Sequence, residues 1–311
     1  MIQVTDLTKQ YGKITAVDHI SFTIDDGEVV GFLGPNGAGK TTTMNMICGY
    51  ISSTSGEVLI GGHDILKEPM EAKKCIGYLP EHPPLYTDME VLEYLSFVYD
   101  LKKVKDNKKE HIRRIMDKVG LTDVQNRVIR NLSKGYQQRV GFAQALIGNP
   151  KVLILDEPTV GLDPNQIVEI RKLIEELGRQ HTVILSSHIL AEISAVCSKI
   201  IIIKKGSIVA MDETSALLQK AERSNMYTLK IIAEQADVLL QSADAVCDAK
   251  FEDSAQDGAE IYTVTLSDEK DALKSLSAYL AQNGAVILEL KKKASTSLEQ
   301  IFAELTAVKE D

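Results

Sequence analysis

Gly34-Pro35-Asn36-Gly37-Ala38-Gly39-Lys40-Thr41 decides how this 311-residue chain is read. The stretch fits G-x-x-x-x-G-K-[S/T], follows the apolar run Val29–Leu33 and opens a helical pattern near Lys40. Glycines let successive backbone N–H groups converge on phosphate oxygens, and a helix N-terminus adds positive potential. In such a cradle Gly34, Asn36, Gly37 and Gly39 shape the loop, and Lys40 reaches the β- and γ-phosphates of a nucleotide. The Thr41 hydroxyl holds Mg2+, with Thr42 beside it. A strand before and a helix after are what make the pattern specific.

A second stretch, Lys151-Val152-Leu153-Ile154-Leu155-Asp156-Glu157-Pro158, is an apolar strand ending in two carboxylates. Ligands gather at the C-terminal ends of parallel strands. Asp156 is therefore expected to hold the metal from the far side, and Glu157 to polarise an attacking water. Taken alone, the stretch also fits a strand that ends in a solvated acidic turn. In small GTPases the gap between the two motifs is shorter and guanine is selected by N-K-x-D. The nearest match, Asn107-Lys108-Lys109-Glu110, lacks the Asp and any preceding apolar strand, which disfavours a GTPase.

Around these motifs, short β-branched runs (Val29–Leu33, Val152–Leu155, Val183–Leu185) alternate with helical patterns, as in a parallel sheet buried on both faces. Segments before residue 30, with Glu57–Ile60, read as an antiparallel flank, and residues from about 86 to 150 as a helical insert. Residues 221–311 hold nine basic and seventeen acidic side chains, against 26 and 27 in residues 1–220. With the polar stretch Gln219–Asn225, this shift places a domain boundary near 220. The second part reads strand Tyr227–Ile232, helix Ala233–Ser242, strand Val246–Phe251, strand Ile261–Leu266, helix Asp271–Gln282, strand Ala285–Leu290. That βαββαβ order is ferredoxin-like.

Composition narrows the function classes. With 44% hydrophobic and 25% charged residues the chain is globular. A net charge of −9 argues against non-specific nucleic-acid binding. Cys48, Cys75, Cys197 and Cys247 form no C-x-x-C pair and read as free, mostly buried thiols. No apolar run approaches the ~18 residues of a spanning helix; Ile200–Ile203 is bounded by Lys199 and Lys204. The N-terminus has no signal-peptide layout, so a soluble chain is expected, with any membrane role reached through a partner.

Leu132-Ser133-Lys134-Gly135-Tyr136-Gln137-Gln138-Arg139 resembles the L-S-G-G-Q signature of ATP-binding-cassette (ABC) ATPases. Gly161-Leu162-Asp163 and Ser187-His188 complete the cassette order over roughly residues 2–220. The resemblance implies an α/β P-loop NTPase cassette with a mixed central sheet, followed by a small acidic α+β domain at 221–311 that serves regulation or dimerisation. It further implies that two chains bind two ATP–Mg2+ head to tail. Each phosphate loop would face the partner's Ser133 and Gly135, with Asp163 at the subunit contact. Tyr11 falls where such cassettes stack an aromatic on adenine, though it also fits a surface Tyr before a Gly turn. His188 falls at the γ-phosphate switch. Two departures stand out: Lys134 and Tyr136 replace Gly and Gln in the signature, and Glu81 replaces the usual Gln that links Mg2+ to the membrane partner. The added charge of Glu81 predicts tighter Mg2+ dependence.

Gly77-Tyr78-Leu79-Pro80-Glu81 through Leu85-Tyr86, Val91–Phe97 and the ending Ser297–Thr306 resemble the ATPase subunits of ABC-2-type exporters, including multidrug, peptide-antibiotic and gliding-motility-type systems. This implies ATP hydrolysis that drives a separate permease, in the cytoplasm on the inner face of the cell membrane. Maltose-type importer ATPases carry a β-barrel-like extension, which the βαββαβ order does not match. A soluble, non-transport ABC ATPase working on nucleic acid or in translation is the alternative. One phosphate loop, no long heptad run and an acidic extra domain weigh against it. Residues 102–118 hold eight basic and three acidic side chains, which fit a solvated helical face or a surface for anionic lipid or the permease.

Overall fold

A computed structural model describes residues 1–216, 226–255, 258–267 and 271–292. The polar stretch Gln219–Asn225 and the ending Ser297–Thr306 lie outside them. The described residues fall into two compact units, Met1–Thr214 and those from Ser215 onward.

The first unit has two sheets. β1 (Ile2–Tyr11), β2 (Ile14–Ile24), β4 (Ser55–Ile60) and the two-residue β5 (His63–Asp64) form an antiparallel sheet in the order β2-β1-β4-β5, the expected flank. The other sheet runs β10-β9-β3-β8-β7-β6. Its β3 (Val29–Leu33), β6 (Ile76–Leu79), β7 (Val152–Asp156), β8 (Thr182–Ser187) and β9 (Lys199–Lys204) are parallel, and β10 (Ser207–Glu213) is antiparallel to β9. Every residue of β7 and β8 is buried, which explains their continuous apolar runs: neither face meets water. The core between the sheets includes Ile2, Leu7, Ile24, Phe32, Met44, Ile154 and Ile184.

Seven helices accompany these strands before β9: α1 (Lys40–Ile47), α2 (Pro69–Lys74), α3 (Val91–Leu101), α4 (Lys108–Val119), α5 (Lys134–Leu146), α6 (Pro164–Gly178) and α7 (Leu190–Val196). The insert is helical as read, built from α3, α4, α5 and two 3-10 turns. Its helices carry their own stop signals. Asn107 Oδ1 caps α4 by accepting from Glu110 N, and Gly120 ends it at φ 69°.

The second unit runs β11 (Met226–Ile232), α8 (Ala236–Gln241), β12 (Val246–Ser254), β13 (Glu260–Leu266), α9 (Ala272–Gln282) and β14 (Val286–Lys292). Its antiparallel sheet has the order β12-β13-β11-β14. Leu229, Ile231, Leu240, Val264, Leu276 and Leu280 form its core. The first helix is shorter than the apolar pattern suggested. Gln235 adopts φ 55°, and this left-handed turn delays the helix to Ala236. The four thiols are free, as expected, with Cys48 and Cys197 buried, Cys75 half-buried and Cys247 exposed.

Candidate nucleotide site

The loop 34–39 leaves the end of β3, the central strand flanked by β8 and β9. Its glycines are required by space as well as by dihedral angle. A Cβ on Gly34 would lie 2.5 Å from Ile203 O, and one on Gly39, at φ 107°, 2.6 Å from Ala16 O. Gly39 is the N-cap of α1 and brings no side chain to the helix end, so the first-turn N–H groups of α1 are left for an anion.

The loop opens on a cavity of about 390 Å3 lined by Asn36, Gly37, Gly39, Lys40, Thr41, Thr42, Glu81, Glu157 and His188 among others. Nine residues singled out in the sequence thus converge on one space. Lys40 Nζ donates to Gly34 O at 2.8 Å and lies 3.5 Å from Glu157 Oε1. The other carboxylate oxygen of Glu157 is 2.9 Å from His188 Nδ1. Glu157 therefore stands between a lysine and a histidine, with its side chain almost wholly buried. Its backbone is held at φ 48°, a conformation that costs a non-glycine residue about 1–3 kcal/mol and redirects the chain as it leaves β7.

Asp156, 1% exposed, lies under this cavity at the end of β7. Burial raises its pKa, while hydrogen bonds from Ser186 and Thr41 and the charge of Lys40 hold it down; the nearby Glu81 carboxylate pushes it up. Ser186 had no part in the sequence reading, yet it ties both acidic residues. Its Oγ donates to Asp156 Oδ1 at 2.5 Å and accepts from Glu157 N at 3.0 Å. Its position beside Ser187-His188, opposite Asp156 in the β7–β8 register, is the signal that could have found it. Glu192 is a second such residue. It is buried and accepts from Thr159 Oγ1 at 2.5 Å and Ser187 Oγ at 3.4 Å, joining the loop after Glu157 to the loop of His188.

Ser133, Gly135 and Asp163 are outside the cavity lining, at the N-terminal ends of α5 and α6. Ser133 caps α5, its Oγ accepting from Tyr136 N, and Asp163 caps α6 through Asn165 N and Gln166 N. A Cβ on Gly135 would come within 2.7 Å of the Gln166 side chain, and one on Gly161 within 1.9 Å of Lys134 Nζ. The departing Lys134 thus lies over the loop that precedes Asp163. Tyr11, at the end of β1, is 49% exposed and outside the lining, with Lys9 Nζ 5.1 Å from its ring centroid.

A parallel sheet, a glycine loop feeding a helix N-terminus and a buried acidic strand end define a P-loop nucleotide-binding ATPase. The family model described as ABC transporter matches residues 17–160. The ABC transporter ATP-binding protein YhcH of Bacillus subtilis (strain 168) is 36% identical over 309 residues, covering 98% of this chain and 96% of that protein. The bacitracin transport ATP-binding protein BcrA of Bacillus licheniformis is 40% identical over 210 residues, 67% of this chain and 68% of that one. The dimeric cassette MJ0796 superposes with a TM-score of 0.63 at 26% identity, covering 69% of this chain and 99% of that one. The chain belongs to the ABC transporter family: it is the ATP-binding, ATP-hydrolysing subunit of such a transporter. This sets aside the soluble, non-transport alternative.

Proposed function

We propose that two copies of this chain close head to tail around two ATP–Mg2+ and drive a separate permease of ABC-2 type in export. The single observation that carries the mechanism is Glu157, held between Lys40 and His188 over the phosphate loop. A carboxylate there can orient water toward the γ-phosphate and draw its proton, while Lys40 and the α1 N-terminus hold phosphate charge. His188 contacts Glu157 and keeps the carboxylate aimed. The donor set near Asp156 consists of oxygens from Thr41, Asp156 and Glu81, which suits a hard cation such as Mg2+. When bound, Mg2+ supplies charge neutralisation for the β- and γ-phosphates.

The partner's Ser133 and Gly135 would meet the γ-phosphate, Asp163 would lie at the subunit contact and Tyr11 would stack on adenine. The cap at Ser133 supports the first assignment, because the N-terminus of α5 lies outside the lining of its own chain's cavity and brings positive potential to a partner. The transport named for BcrA supports an antibiotic-type cargo. No described helix is long and apolar enough to cross a membrane, which supports attachment to the inner face of the membrane through the permease. The order β12-β13-β11-β14 supports a ferredoxin-like C-terminal domain, divided from the cassette near residue 220 and regulatory or dimerising in role; its excess of acidic side chains weighs against a nucleic-acid partner.

Glu157→Gln keeps the shape of the side chain and removes its basicity. The variant should elute as a dimer in gel filtration with ATP and Mg2+ and as a monomer without them. A monomer in both conditions overturns the role given to Glu157. For Glu81, the Mg2+ titration of the ATPase rate should change on Glu81→Gln; an unchanged curve removes Glu81 from the metal set.

A further inference from the structure

The basic stretch 102–118 is only partly a solvated face. Lys108 Nζ pairs with Asp100 at 2.5 Å and Arg113 with Asp117 at 3.5 Å. Lys102 Nζ donates to Gln144 O and Ile147 O at the end of α5. Arg114 and Lys118 instead line a cavity of about 430 Å3, together with Asp106, His111, Asn149 and His181. It lies where β7 and β8 begin, whereas Asp156 and Ser186 sit where they end. Strands of this length separate the two places by roughly 15–20 Å, so the cavity is distinct from the nucleotide site.

Its walls carry two cationic side chains, Arg114 and Lys118, against one carboxylate, Asp106. His111 is 3% exposed and His181 4%. Gly148 N donates to His111 Nε2 at 3.1 Å, so the ring proton of the neutral imidazole is on Nδ1. No well-aligned hydrogen bond satisfies that buried Nδ1, although the Asp106 carboxylate faces it with Oδ2 at 3.4 Å. A buried donor left without an acceptor is costly. His181 Nδ1–H donates to Pro150 O at 2.7 Å, so its Nε2 is an acceptor and takes no part in holding an anion. Lys118 Nζ donates one hydrogen to Gln180 Oε1 at 2.7 Å and keeps two more. Burial lowers the pKa of both imidazoles. A small anion rich in acceptors answers this set. A cation does not, because Arg114 and Lys118 repel it, and among the described residues no three His, Cys, Asp or Glu side chains gather as metal ligands.

We propose that this cavity binds a phosphate monoester, with Arg114 and Lys118 holding its charge and His111 Nδ1–H donating to one of its oxygens. A guanidinium fork matches two phosphate oxygens at once, which gives Arg114 the largest share of recognition. Asp106, exposed, is the carboxylate among the lining residues that opposes the ligand, and Glu176 also faces Lys118.

The test uses the full chain with ADP saturating the phosphate loop, and follows the imidazole NMR resonances of His111 and His181. Two probes separate the sources of the ester: glycerol phosphate in solution, and phosphatidic acid in phosphatidylcholine vesicles. Saturable shifts of both histidines with the soluble ester assign a free metabolite; shifts with the vesicles alone assign a lipid headgroup. Both results support the site. Arg114→Gln should weaken binding about tenfold, the loss of one charged contact, and Asp106→Asn should tighten it, with ADP affinity unchanged in each. No shift with either probe, or equal binding by Arg114→Gln, overturns the proposal. Because ADP binding is read in the same samples, that failure is separate from any failure of the transport mechanism.

Discussion

Ser186→Ala is the sharpest probe of the acidic strand end. Ser186 is wholly buried and its hydroxyl spans the two carboxylate residues, donating to Asp156 and accepting from Glu157 N. Glu157 N retains a backbone partner in Ser186 O at 3.2 Å, so the variant mainly strips a donor from Asp156. A hydrogen bond to a charged group contributes about 1.5–3 kcal/mol. At 1.36 kcal/mol per pKa unit, its loss moves the Asp156 carboxyl up by roughly 1–2 units. Burial already holds that pKa above the ordinary 3.8, so the shift adds to an existing one. The ionised form is needed for Mg2+, and the acid limb of the pH–rate profile at fixed Mg2+ should therefore move to higher pH by the same roughly 1–2 units. Stability follows the same sign. A carboxyl whose folded pKa is raised favours the fold below its unfolded pKa and loses that contribution as pH rises through the folded value. The variant should thus match its parent best near pH 4 and fall behind by about 1.5–3 kcal/mol toward pH 7. Urea unfolding at several pH values reads this directly. An acid limb that coincides with the parent's, in a variant that unfolds as cooperatively, refutes the argument.

Three further outcomes follow from local geometry. Asp64 accepts from Leu66 N and Lys67 N and pairs with Lys67 Nζ, which holds its carboxyl down at about 2. Asp64→Ala should cost about 1–2 kcal/mol at pH 7 in urea unfolding. The deficit should shrink as pH falls from 3.8 through 2, because a lowered carboxyl stabilises only while ionised. Gly31→Ala puts a Cβ 2.1 Å from Ile193 Cγ2 in the packing of β3 against α7, and overpacking of this kind should lower stability by about 1–3 kcal/mol, read as a reduced Tm. Burial raises the thiol pKa of Cys48 and Cys197, so with a disulfide reagent at pH 8 Cys247 should react first, while Cys48 and Cys197 wait for denaturant.

The parts of the site that were legible in the sequence are those whose chemistry is carried by neighbours in the chain. Gly34–Thr41 announces itself because strand, turn and helix start are contiguous. Asp156-Glu157 does so because an apolar run must end somewhere. The α/β alternation was legible for the same reason: β7 and β8, buried on both faces, have no polar residues to interrupt their runs before the strand ends. Ser186 and Glu192 were not legible, since their importance lies in partners about 30 positions away, and serine or glutamate alone predicts nothing about them. The length of α8 failed for a backbone reason. Apolar spacing says which face a helix buries, and it is silent on where a left-handed residue such as Gln235 stops the helix from starting earlier.

Charge shows most clearly what a linear reading loses. Residues 102–118 sum to +5 as a string, which suits a solvated face or a lipid-facing one. Folding divides that sum by geometry. Lys108 and Arg113 are neutralised on the spot by Asp100 and Asp117, and Lys102 is spent on the open carbonyls at the end of α5. Of the other five, Arg114 and Lys118 stand beside His111 and His181, two histidines that are 70 positions apart and that no spacing rule would connect. Surface ion pairs contribute little to stability, so the paired residues explain little of why the stretch is basic. Arg114 and Lys118 are where the basic stretch has a physical consequence, because both line a cavity that a ligand or water can fill. A reversal at Lys108 or Arg113 should therefore leave phosphate-ester binding unchanged, while a reversal at Arg114 abolishes it; equal loss at all three positions would return the stretch to a diffuse electrostatic surface.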